Sequence, residues 1–120
     1  MLTEVTLACF TGSEIKFKHW LGKIEYTEGI KFLADKAQAY WLIDAIVSYQ
    51  SKSLLQQYPE LTEFQLWQLE VNEDKTAVLT CRADSGCEPI IVQHIELTTF
   101  PLQSIKFYLC HQVLMLTSEY

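Results

Sequence analysis

The chain has a single arginine, Arg82, only four glycines, and no apolar run longer than Ala39 to Ile43. Each shortage removes a class of function. One arginine in an acidic balance of 15 Asp plus Glu against 9 Lys plus Arg leaves no basic stripe to displace counterions from a phosphate backbone. It also leaves no supply of forks for reading guanine, so nucleic acid is not an expected partner. The one local excess of positive charge, Lys16, Lys18, His19 and Lys23, is interrupted by apolar residues and reads as the solvated face of a strand. Four glycines cannot build a glycine-rich phosphate loop or a dinucleotide fingerprint, and no nucleophile elbow is present. The apolar run is far short of the roughly 18 residues that a membrane span requires. Four cysteines, Cys9, Cys81, Cys87 and Cys110, are too scattered for a disulfide scaffold and are expected as thiols. The opening Met1-Leu2-Thr3-Glu4-Val5 carries an acid where a signal peptide carries Lys or Arg, so a cytoplasmic location is expected.

What remains is a chain of 120 residues, 49% of them apolar, with a mean hydropathy of +0.06 and a pI near 4.9. At that size folding hides about two-thirds of the surface, enough for a core without metal or disulfide staples. Residues 1–120 are expected to form a single domain. Ile15 and Phe17 suggest a strand, and Leu21-Gly22-Lys23 a turn into a second strand at Ile24-Glu25-Tyr26. Thr27 can cap a helix whose first turn holds Glu28. Ile30, Phe32, Leu33, Ala34 and Ala37 give that helix an apolar face. The run from Ala39 to Tyr49 is apolar almost all round and reads as a helix buried on most sides. One bent helix or two both fit residues 27–56. Beyond Pro59 the pattern alternates. Trp67, Leu69 and Val71 share one face, as do Ala77, Leu79 and Cys81, then Ile91, Ile95 and Leu97, then Ile105, Phe107 and Leu109, followed by Val113-Leu114-Met115-Leu116. Short turns at 72–75 and 84–86 separate the first three runs. The expected fold is α+β, a helical N-terminal half packed on one face of an antiparallel β-meander of four to five strands.

Several segments carry a family resemblance: Phe10-Thr11-Gly12-Ser13-Glu14, Tyr26-Thr27-Glu28-Gly29, Phe64-Gln65-Leu66-Trp67, Thr99-Phe100-Pro101-Leu102 and Ser118-Glu119-Tyr120. The most specific is the helix motif Ala39-Tyr40-Trp41-Leu42-Ile43-Asp44-Ala45-Ile46. Together they resemble a domain-of-unknown-function family of small proteins from bacteria and their phages, over residues 6 to 120. Thr99 stands where the family pattern has an acid, and Thr117 where it has proline. The resemblance implies domain limits and no activity.

Zinc needs close ligand pairs. The nearest pairs are Cys81 and Cys87, with five residues between them, and the adjacent Cys110-His111. Pairing strands across the turn at 84–86 puts Cys81 opposite Ile90 and Ala77 opposite His94. Cys81 and His94 are then roughly 13 Å apart along the ladder, against about 2.3 Å for a zinc ligand. Neither a metal nor a cofactor is expected. No catalytic residue is assigned, because no nucleophile stands with a base and an orienting group. Aromatics are the richest feature, and Trp41 and Trp67 are expected to plug the core between helices and sheet. Any surplus on the open sheet face marks a protein interface. Asp44 has mostly apolar helical neighbours, Tyr40, Trp41, Val47 and Ser48. It is expected to be largely buried and to accept a hydrogen bond from a group distant in sequence, with His19 or an aromatic hydroxyl or indole as the leading donors. The resulting expectation is a small cytoplasmic interaction module that meets a protein partner or its own copy, with His19, Trp41, Asp44 and Trp67 as candidate contact residues. The alternative is a small-molecule binder or minor enzyme with a pocket near Trp41, Asp44 and His19.

Overall fold

A computed structural model of the chain describes Leu7 and residues 16–19 and 23–120. Strands β1 (Lys16–Lys18) and β2 (Glu25–Thr27) form an antiparallel hairpin with Phe17 opposite Tyr26. The tip of this hairpin lies outside the described residues. Thr27 then ends the strand and caps helix α1 (Glu28–Ala37), its Oγ1 accepting from Ile30 N at 3.4 Å. The helical region, 28–57, holds three helices rather than one or two. Gln38 takes a left-handed conformation, φ 52°, and closes α1, a common way to satisfy the last carbonyls of a helix. Helix α2 (Tyr40–Ser48) follows at once, and a short α3 (Lys52–Gln57) is capped by Ser51.

The remaining strands are β3 (Phe64–Val71), β4 (Ala77–Arg82), β5 (Ile91–Ile95), β6 (Ser104–Cys110) and β7 (Val113–Leu116). With the hairpin they form a seven-stranded sheet in the order β1-β2-β7-β6-β3-β4-β5. The α+β class holds, but three details of the expected meander do not. The N-terminal hairpin belongs to the sheet rather than to a helical half. The sheet is mixed, because β2 pairs with β7 in parallel. And β6 lies beside β3, not beside β5. The last follows from β3 itself, which buries residues on both faces, Leu66 as well as Trp67. A strand buried on both faces belongs in mid-sheet with a neighbour on each side.

Alternation assigns the two faces. Trp67 and Leu69, Leu79 and Cys81, Phe107 and Leu109, and Leu114 join Ile30, Leu33, Leu42, Ile43 and Ile46 of the helices in one core. The opposite face presents Phe64, Gln68, Glu70, Thr80, Arg82, Val92, Lys106 and Tyr108. In the β4–β5 register Cys81 stands opposite Ile91 and Ala77 opposite Ile95, one residue beyond the expected pairing. Cys81 therefore faces the core and His94 the open side.

Candidate functional site

The first candidate cluster lies where the N-terminal hairpin meets α2. His19, just past β1, donates from Nε2 to Asp44 Oδ1 at 2.6 Å. The pairing is the expected one, but the burial is reversed. His19 is 5% exposed, whereas the Asp44 side chain is 54% exposed. Helix α2 turns Leu42, Ile43, Ile46 and Val47 inward, which leaves Tyr40, Trp41, Asp44 and Ser48 on a solvent stripe. Trp41 likewise departs from its expected place in the core, standing 37% exposed. Tyr and Trp can occupy such a boundary because each joins an apolar body to a polar tip; counting them as core misplaced the stripe. Along the same side of the molecule Tyr40 donates to Asp35, which also binds Lys31 at 2.8 Å. The Lys31 ammonium and the Tyr40 hydroxyl hold the Asp35 carboxyl below the usual carboxylate range, and Asp35 in turn raises Lys31 and Tyr40. Lys31 also lies over the Phe17 ring, 5.5 Å from its centroid. This cluster fastens hairpin to helices. It does not make a nucleophilic triad with Ser48, whose hydroxyl donates to Ala45 O at 2.6 Å.

Trp67 is apart from that cluster. It is fully enclosed, with Nε1 donating to Gln65 Oε1 at 2.8 Å. Gln65 and Gln50 exchange amide hydrogen bonds at 2.9 and 2.7 Å, and Gln65 Nε2 also reaches Leu61 O at 3.0 Å. Burial pushes the Cys81 thiol beside this network up to about 12, which leaves it a small hydrophobe with little thiolate. Among the described residues no buried side-chain nitrogen or oxygen lacks a partner, and no three His, Cys, Asp or Glu gather as a metal site.

The second cluster lies on the open face of the sheet. Phe64 and Tyr108 rings are 5.1 Å apart, and Tyr120 closes on both, at 5.9 Å from Phe64 and 5.0 Å from Tyr108. Tyr120 is 73% exposed. It is brought there by its neighbours. Ser118 Oγ donates to Leu7 O at 3.3 Å, and Glu119 Oε1 accepts from Thr27 Oγ1 at 2.6 Å and from Leu116 N at 3.1 Å. Glu119 Oε2 lies 3.4 Å from Gly29 N. Two of the sequence segments that carry the family resemblance, around Thr27 and around Glu119, thus touch. Phe64, Tyr108 and Tyr120 were not among the candidate contacts, although the signal was present: each of the first two has the opposite parity to a core aromatic, Trp67 and Phe107, on its own strand. A groove of about 320 Å³ lies elsewhere, along β6, and its lining includes none of His19, Trp41, Asp44 or Trp67.

A model described as a family of unknown function (DUF6876) matches residues 1–120. No curated protein and no solved structure matches the chain.

Proposed function

The chain belongs to the family of unknown function DUF6876, and from that premise we propose that it works by binding. In this reading it is a small cytoplasmic interaction module whose open sheet face meets a protein partner or a second copy of the chain. The observation that carries the proposal is the Phe64–Tyr108–Tyr120 cluster, three rings in mutual contact on the side of the sheet away from the helices. Clustered aromatics with polar tips are the side chains that most often supply binding energy at interfaces. Val92, half-exposed on the same face, extends the apolar area toward the β5 edge, and an uncovered edge strand adds its own tendency to pair. The His19–Asp44 cluster supports the fold of that module rather than a reaction.

The test uses sedimentation and light scattering on the wild type and on Tyr120→Ser, together with recovery of tagged copies of each from the host. Tyr120 is exposed, so its substitution leaves the core intact. The proposal expects a dimer that the variant weakens about tenfold, or a stoichiometric partner that the variant loses. A wild type that is monomeric and partnerless, or a complex indifferent to Tyr120, sinks it.

A further inference from the structure

Strand β6 runs further than the strand beside it. It pairs with β3 along its whole length, but β7 pairs only with Phe107 to Cys110 and ends at Leu116. Among the described residues, Ser104, Ile105 and Lys106 therefore have a strand neighbour on one side only. The groove of about 320 Å³ opens along this gap. Leu7, Leu102, Ile105 and Leu116 give it apolar walls, and among the described residues Lys106 is the one charged residue of its lining. Its volume and its mix of apolar walls with a few polar groups are those of a small-molecule site.

We propose that this groove is a binding site for a linear acyl carboxylate, with the chain lying against the leucines and the head group held by Lys106 and Ser104. The polar groups suit that head group. Ser104 Oγ accepts from Gln68 Nε2 at 3.4 Å, which leaves its own proton to donate. Glu70 stands diagonally across from Lys106, but its carboxylate is engaged by Gln68 Nε2 at 2.9 Å. Among the described residues Lys106 makes no ion pair, so its charge is available to an anion. A peptide strand fits less well, because the free edge is three residues long and a typical strand pairs over about five or six. The site stands apart from the binding role of the open face and does not depend on it.

Titration with decanoate below its micelle concentration, followed by amide chemical shifts and calorimetry, tests the assignment. Decanol of the same chain length and an acetylated trileucine peptide serve as comparison probes. Saturable decanoate binding is expected, with shifts centred on Leu7 and residues 102–106 and 116–118. Lys106→Gln should weaken decanoate by about three- to fivefold, as for one exposed ion pair, and leave decanol unchanged. Thr117→Trp, which places a large ring in the groove from its exposed rim, should abolish both without altering the melting curve. No saturable binding, shifts located elsewhere, decanol bound as tightly as decanoate, or the peptide bound in preference would each overturn the proposal.

Discussion

His19 is enclosed and Asp44 is not, so separating the pair falls hardest on the histidine. Asp44→Ala leaves a buried imidazole nitrogen without the acceptor it holds at 2.6 Å. An unmet buried polar group costs about 1–3 kcal/mol, and the half-exposed carboxylate places this case toward the low end of that range. Asp44→Asn keeps an acceptor oxygen and should recover most of the loss. Urea unfolding of the two variants checks this, and an Ala variant with an unchanged midpoint would refute it. The sequence offered His19 as one donor among several, beside aromatic hydroxyls and indoles, and it did so on the expectation of a buried carboxylate, which the exposed Asp44 does not meet. Which partner would be buried was not legible. The orientation of α2 depends on where Leu42, Ile43, Ile46 and Val47 find the sheet, and tyrosine and tryptophan satisfy either side of that boundary. Trp67, with apolar neighbours at alternate positions on a strand, had no such freedom and lies in the core as expected.

At the level of elements, α1 is capped twice. Thr27 caps it locally, as its place before Glu28 foretold. Glu119 caps it from the far end of the chain, bringing a carboxylate to the positive end of the helix, where such charge is favourable. Gly29 makes room for that approach. A β-carbon added at Gly29 would lie 2.4 Å from Glu119 Oε1 and 2.7 Å from Leu116 Cδ1. Gly29→Ala should therefore destabilise the protein by about 1–3 kcal/mol through overpacking, although alanine is the better helix former by up to about 1 kcal/mol. Glu119→Ala should cost about 1 kcal/mol through the lost cap. Combined, the two changes should cost less than their sum, because the second removes the nearer of the two side chains that the first collides with. Additive thermal shifts would contradict the contact. No periodicity in the sequence points to Glu119 as a cap of α1, since Thr27 and Gly29 lie ninety or more residues away from it.

For the molecule as a whole, hairpins were readable and strand order was not. The β3–β4 and β4–β5 turns are local, set by residues 72–75 and 84–86, and their strands are neighbours in the sheet. The insertion of β7 between β2 and β6 is decided by which long-range arrangement buries most apolar surface, and alternation within one strand carries no trace of it. The result is a core closed on all sides around Cys81, which gives a probe of global opening. At pH 8 a thiol pushed up to about 12 should resist iodoacetamide while exposed Cys87 reacts. In increasing urea, Cys81 labelling should appear together with loss of the far-ultraviolet signal. Labelling of Cys81 in the native protein at the rate of Cys87 would show that the core opens locally.

The place of β7 also bears on how the protein is made. Synthesis delivers β2 and α1 early, yet the strand between β2 and the rest of the sheet, and the glutamate ninety residues beyond Gly29, follow every other strand. Until they emerge from the ribosome, the first hairpin has no sheet to join and α1 has no distant cap. The strands already made meanwhile present β6 as a bare edge, the kind of surface that draws other chains. The hairpin, α1 and the rest of the sheet can thus be joined only after Glu119 is made, and not as each element emerges.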